Sequence, residues 1–163
     1  MCGRSTSLSI MRDYGQDLFR MTYVSRATLT GQAQFEQLTH SIVFSSQRNN
    51  AAVGVTGLLL AHNGCFMQTL EGPRRNVSQI FSVIGRDLRH VQIEVLSGGP
   101  ASDRLFGRWN MCARAITPEA LPAIEALDLH GEFDPFSLES SAALKLLATL
   151  SNLPAAAQIP LQA

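Results

Sequence analysis

The chain has only three cysteines, Cys2, Cys65 and Cys112, too few and too scattered to staple a fold. No two form a C-x-x-C pair and no histidine stands at metal-ligand spacing from them, which argues against structural zinc and a redox dithiol. The odd, widely spaced set reads as free thiols in a reducing compartment, so a cytoplasmic setting is expected. Net charge is absent too, with 13 Lys and Arg against 13 Asp and Glu. Without a basic excess there is no electrostatic case for nucleic acid or an anionic membrane surface. The first twenty residues contain no apolar h-region, and no run of eighteen apolar residues occurs, so neither export nor a membrane span is indicated.

What is present is one domain's worth of chain: 163 residues at 45% apolar composition, enough to bury a core. Its charge is unevenly placed. Residues 1–114 hold twelve Arg and seven acids, whereas residues 115–163 hold Lys145 and six acids. The opposed signs suggest that the tail folds back on the core. Residues 1–18 are polar and unpatterned and read as an extension.

The most informative stretch is Arg48 to Gly72. Asn63-Gly64 joins two apolar runs and is typical of a two-residue hairpin turn, because both positions need positive φ. This predicts strands over Val55–His62 and Cys65–Glu71. Alternation then places Phe66, Gln68 and Leu70 on one face. An amide between two large apolar residues is expected to be buried, where an unpaired group costs about 1–3 kcal/mol. Either a backbone partner or a ligand would satisfy Gln68. Upstream, Asn49 and Asn50 sit where a helix hands over to the first hairpin strand. They suit capping and turn chemistry, and equally the hydrogen bonding of a polar heterocycle at the mouth of the sheet.

Around this hairpin, Phe19–Ser25 reads as a strand with Phe19, Met21, Tyr23 and Ser25 sharing a face, so the Tyr23 hydroxyl needs an interior partner. A helix is predicted over residues 32–48 from the stripe Phe35, Leu38, Ile42 and Val43. A second is predicted over residues 75–88, with Val77, Ile80, Phe81, Ile84 and Leu88 along one side. Val91–Leu96 reads as a fourth strand, with Val91, Ile93 and Val95 alternating against Gln92 and Glu94. Ser97–Asp103 reads as a loop, and Arg104–Ala115 as a fifth strand with Trp109, Met111 and Ala113 on one face. Helices are also expected over residues 117–127 and 138–150, with Asp134-Pro135 as a helix start and the last nine residues as tail.

Strand, helix, strand, strand, helix, strand is the ferredoxin-like α+β order, here with one strand added. Both helices lie across one face, and the cleft between them is a natural small-molecule site within reach of Tyr23, Gln68, Asn50 and the Trp109/Met111 strand.

Five blocks in register make the pattern specific: Tyr23-Val-Ser-Arg26; Asn49-Asn50 followed by Val55-Thr-Gly57; Phe66-x-Gln68-x-Leu70-Glu71-Gly72; Asp87-x-Arg89-His90; and Arg104-x-Phe106-x-x-Trp109-x-Met111. Together they closely resemble the BLUF family of blue-light sensors, which use flavin, normally FAD. The resemblance spans about residues 20–115 and implies a flavin-binding domain over residues 19–115, with residues 116–163 as a helical cap and tail. It implies Tyr23 as electron and proton donor and Gln68 as the amide between it and the flavin. Asn50 would bond the flavin C4 carbonyl and N3, and Asn49, Arg89 and His90 would line or anchor the cofactor. Trp109 and Met111 would carry the signal outward on their strand. Rearranged Gln68 hydrogen bonds would leave the cofactor chemically intact and slightly red-shifted.

Larger members of the family fuse an output domain. The residues after Ala115 are too few for a cyclase or phosphodiesterase. The resemblance therefore implies a non-enzymatic photoreceptor signalling to another protein or to a second copy of itself. Two rivals share the fold class. A phosphatase would need a basic partner beside Gly98-Gly99-Pro100, which is missing. A thiol-based flavin redox enzyme would need Cys65 or Cys112 at the cleft, and Cys65 falls on the face opposite Gln68.

Overall fold

A computed structural model describes residues 17–29, 31–108, 111–129 and 133–153. In order they form strand β1 (Leu18–Ala27), helix α1 (Gln32–Ala52), β2 (Thr56–His62), β3 (Cys65–Pro73), α2 (Arg74–Ile84), β4 (His90–Pro100), β5 (Cys112–Ala115), and helices α3 (Leu121–Glu125) and α4 (Ser140–Ser151). Short 3₁₀ turns at Pro118–Ala120 and Pro135–Ser137 complete the cap.

The five strands form one sheet in the order β4-β1-β3-β2-β5. All neighbours are antiparallel except β2 and β5. The β2–β3 turn is as the Asn63-Gly64 pair demands, with φ of 47° and 71°. Gly57 answers a different need. A Cβ there would lie 2.1 Å from the Thr69 carbonyl oxygen, so only glycine lets β2 approach β3 at this point.

The sheet is covered on both faces. On one, α1 and α2 bury Phe35, Leu38, Ile42, Val43 and Val77 against Tyr23, Leu59, Phe66, Leu70 and Met111. On the other, α3 and α4 bury Ile124, Ala143, Leu146, Leu147 and Leu150 against Val24, Leu58, Leu60 and Met67. This is why β2 reads Leu58-Leu59-Leu60 without alternation: both faces need apolar side chains. Each fully buried leucine of α4 contributes roughly 1.5–3 kcal/mol, so the acidic tail docks chiefly through apolar burial. An Arg26–Asp134 ion pair at 3.5 Å adds to it, but both partners are exposed and such pairs contribute little.

Several boundaries differ from expectation. Helix α1 runs on to Ala52, so Asn49 and Asn50 lie in its last turn. Helix α2 stops at Ile84, followed by Gly85, and Leu88 is 88% exposed rather than part of its stripe. Strand β4 extends through Gly98-Gly99-Pro100, read above as loop, because these pair with Phe19–Met21 at the sheet edge, where a proline is tolerated. Within β4 the ladder is bulged and Gln92 has φ of 52°, so Val91 and Val95 face solvent and Ile93 alone of the three joins the core. The fifth strand is confined to Cys112–Ala115. Its predicted first half is held differently: buried Glu71 accepts from the backbone N–H groups of Leu105 and Phe106, both at 2.9 Å, and from Arg20 Nε at 2.7 Å. Arg104 reaches back to the Thr56 hydroxyl and to the carbonyls of Glu71 and Gly54. A side-chain clamp replaces a backbone ladder there. In the cap, Asp134 caps the 3₁₀ turn by accepting from the Phe136 N–H, and α4 begins only at Ser140. Residues 1–16 and 154–163 and Trp109 lie outside the described residues.

Candidate functional site

The antiparallel register of β1 and β3 puts Tyr23 directly opposite Gln68, and both are buried. Directly opposed residues on one face have Cβ atoms about 5 Å apart, so their side chains meet. The Tyr23 hydroxyl donates to Gln68 Oε1. The Gln68 amide in turn donates from Nε2 to the Met111 sulfur at 3.1 Å. The buried glutamine therefore has side-chain partners on both sides, which answers the question its pattern raised. Edge-on contact with Phe81 of α2, ring centroids 5.4 Å apart, holds the Tyr23 ring.

Above this chain lies a cleft of about 140 Å³ between α1 and α2, lined by Ser45, Ser46, Asn49, Asn50, Gln68, Ile80, Val83, Ile84, Asp87 and Arg89. It adjoins a smaller recess that reaches Tyr23, Leu59, Phe66 and His90 and shares Ser46, Gln68, Ile84, Asp87 and Arg89 with it. The structure thus brings Asn49 and Asn50 to the cleft and Tyr23 and His90 to the recess, with Gln68 and Arg89 lining both and Met111 reached through Gln68. Asn50 is buried, and its backbone carbonyl accepts from the N–H groups of Val53 and Val55, fixing the turn that aims the two asparagines.

Charge in the cleft is arranged around Asp87, a residue of the Asp87-x-Arg89-His90 block to which sequence reasoning gave no role. Arg89 grips the Asp87 carboxylate with Nε and Nη2 and donates to the Ser41 and Ser45 hydroxyls at 2.8 and 3.3 Å. That hydrogen-bonded guanidinium holds Asp87 below the usual carboxylate range, against the opposing effect of burial. Burial pushes the Tyr23 phenol well above its ordinary range, and the Asp87 charge adds to the shift, so Tyr23 keeps its proton. Burial likewise pushes the His90 imidazole below its usual value, with Asp87 pulling the other way. The His90 Nδ1 pairs with the Ser25 hydroxyl at 2.8 Å.

A planar heteroaromatic ring with apolar edges and one rim of carbonyls and ring N–H would meet matching chemistry here. The aliphatic side chains of Ile80, Val83 and Ile84 supply apolar walls. Carboxamides of Asn49, Asn50 and Gln68 offer both donors and acceptors, and Arg89 offers donors. Cys65, by contrast, sits at the cap side, 3.5 Å from Arg26 Nη1, and burial foremost raises its thiol. Among the described residues, no group of three or more His, Cys, Asp or Glu could hold a metal ion. No helix among them is long and apolar enough to cross a membrane.

Fold and site together define an α+β domain with a polar-lined cleft between the two helices on one face of its sheet. The family described as "Sensors of blue-light using FAD" matches residues 18–112. This chain belongs to that family, BLUF. A curated relative, the photoactivated adenylate cyclase subunit alpha-like protein FB of Euglena gracilis, is 34% identical over 94 residues, covering 58% of this chain and 9% of that protein. The chain spans about a tenth of the length of the curated relatives it matches, and what it shares with them is the sensor domain. Among solved structures, BlrB, described as a BLUF protein in its dark state, is 31% identical with a TM-score of 0.63, covering 85% of this chain and 99% of that one. The photo-activated state of BlsA has a TM-score of 0.72 at 24% identity, covering 84% and 96%, which speaks to the fold.

Proposed function

We propose that this chain binds FAD non-covalently in the α1–α2 cleft and reports blue light by rearranging the hydrogen bonds of Gln68. Asn49, Asn50, Arg89 and His90 would hold the cofactor, and residues 19–115 would form the sensor unit with residues 116–163 as its cap. When bound, the flavin supplies blue-light absorption and, once excited, a strong oxidant.

The observation that carries this reading is the unbroken chain Tyr23–Gln68–Met111 at the cleft floor. Tyr23 is held protonated, with its O–H already aimed at an acceptor, so loss of an electron from the phenol has a ready path for the proton to Gln68 Oε1. The Gln68 amide has a donor end and an acceptor end. A half-turn about its last torsion exchanges them. Its NH₂ then faces Tyr23 and its carbonyl faces Met111. A thioether sulfur accepts but does not donate, so the Gln68–Met111 contact is lost in the rotated state. A change of a few hydrogen bonds in the cleft thereby becomes a released methionine next to β5. Trp109, the other residue assigned to this strand, would share in the response.

Output would follow by changing the affinity of the cap surface for a partner protein or for a second copy of the chain. Such a switch moves an equilibrium only by the free-energy difference between its two states, typically about 1–3 kcal/mol. The test is reconstitution of the purified full chain with FAD, followed by absorbance before, during and after blue light. A reversible red shift without bleaching supports the reading; bleaching with an added reductant as substrate would favour a redox flavoenzyme instead.

A further inference from the structure

The asparagines assigned to the cofactor stand where α1 is weakest. Asn49-Asn50-Ala51-Ala52 is its last turn, asparagine is a poor helix former, and the last four carbonyls of any helix need partners from outside its ladder. The chain then closes on Val53 and on Gly54, whose φ of 65° is the left-handed conformation that ends a helix. Within this turn the Val53 N–H donates to the Asn50 carbonyl at 3.1 Å, as does the Val55 N–H at 3.0 Å. Two side chains from distant elements fasten it. Asn76, in the first turn of α2, donates through Nδ2 to the Val53 carbonyl at 2.8 Å. Arg104 donates through Nη2 to the next carbonyl, that of Gly54, also at 2.8 Å. Val53 thus links the Asn76 side chain to the Asn50 peptide: its carbonyl accepts from the first and its N–H donates to the second. Because α1 and α2 wall the cleft from opposite sides, the Asn76 bond ties one wall to the other at the end where Asn50 stands. Farther up α1, Arg89 makes another tie, to Ser41 and Ser45. Asn76 belongs to none of the five sequence blocks and lines neither the cleft nor the recess.

We propose that Asn76 is a positioning residue of the flavin site, which sets the place of Asn50 against the ring by holding the Val53 carbonyl to α2. This rests on the FAD reading given above and adds a residue to it. The Asn76 amide does not touch the cofactor. It fixes the spacing between the α1 wall, which presents Asn50 to the rim of carbonyls and ring N–H, and the α2 wall of Ile80 and Ile84. With the bond cut, the last turn of α1 is free to fray, and Asn50 goes with it.

The experiment is a double-mutant cycle on the full chain, read by fluorescence titration with FAD and by the dark absorption spectrum of the loaded protein. Asn76→Leu keeps the volume and removes the donor. Asn76→Asp, included in case the first variant misfolds, sets an acceptor against the Val53 carbonyl, while a carboxylate in the first turn of a helix favours α2 itself. Each is crossed with Asn50→Ala. Alone, each Asn76 variant is expected to weaken FAD binding roughly 2- to 10-fold, the factor one neutral hydrogen bond commands, and to displace the dark absorption band. In the Asn50→Ala background the same change is expected to cost less than about 2-fold, because the side chain it aims is gone. A residue that only supported the fold would act equally with or without the Asn50 amide, so effects that multiply in full overturn the proposal. Wild-type affinity and spectrum in either Asn76 variant overturn it too, with the FAD reading left standing. Failure of the wild-type chain to bind FAD removes both.

Discussion

Glu71→Gln is the substitution whose cost the structure states most fully. The carboxylate is completely buried and accepts three hydrogen bonds: Arg20 Nε and Leu105 N on Oε1, Phe106 N on Oε2. Glutamine keeps one oxygen and turns the other into a donor. Placed at best advantage, its oxygen serves Arg20 and Leu105, and its NH₂ then confronts the Phe106 N–H. One charge-assisted bond is lost, worth about 1.5–3 kcal/mol; the Leu105 bond becomes neutral and the Arg20 bond keeps only the charge of its guanidinium, each weakened by about half that. The lower desolvation of a neutral amide offsets part of the sum, leaving about 3–5 kcal/mol, the range typical of breaking a buried ion pair from one side. Against a total stability of roughly 5–15 kcal/mol this is a large fraction. Urea unfolding followed by circular dichroism, with equal m-values for both proteins, would register it. A loss below about 1 kcal/mol would refute the reasoning, since it would mean that Glu71 does not clamp the segment leading to Met111.

Other expectations follow from the same contacts. Gly57→Ala should destabilise by about 1–3 kcal/mol, because the new methyl meets the Thr69 carbonyl; an unchanged urea midpoint would contradict that close approach. Asn50→Ala should weaken FAD binding roughly 2- to 10-fold for each hydrogen bond lost, measured by fluorescence titration, and unchanged affinity would remove Asn50 from the site. Acid should destabilise the fold through His90. Its folded pKa lies below its unfolded value, so the unfolded chain binds the extra proton, and stability falls as pH drops below about 6.5. Thermal unfolding of wild type and His90→Gln at pH 7 and 5.5 checks this, and a pH-independent difference between them would contradict it.

How much of this was legible in the sequence depended on whether a local signal carried it. Asn63-Gly64 named its turn because the φ requirement is local, and the face shared by Phe66, Gln68 and Leu70 followed from strand period alone. Tyr23 and Gln68 were each placed toward the core, but that they lie opposite one another depends on the β1–β3 register, which no local pattern states. Strand β4 defied its alternation because a bulge at an exposed edge turned Val91 and Val95 outward. The segment before β5 looked like strand because its apolar residues alternate, whereas its backbone hydrogen bonds go to Glu71, 34 or more residues away in sequence. Asp87 escaped notice for a similar reason. Arg89, two residues on, grips it locally, but the pair is placed in the cleft by Ser41 and Ser45 of α1, which only the folded chain brings to Arg89.

The central claim is that light acts through the Tyr23–Gln68 pair, and a blue-light difference spectrum of three FAD-loaded proteins tests it most directly. Wild type should show a red shift that forms under light and disappears in the dark. Tyr23→Phe, which lacks the phenolic proton, and Gln68→Leu, which lacks the amide, should each bind flavin and show no reversible shift. A normal light-induced red shift in either variant would contradict the account.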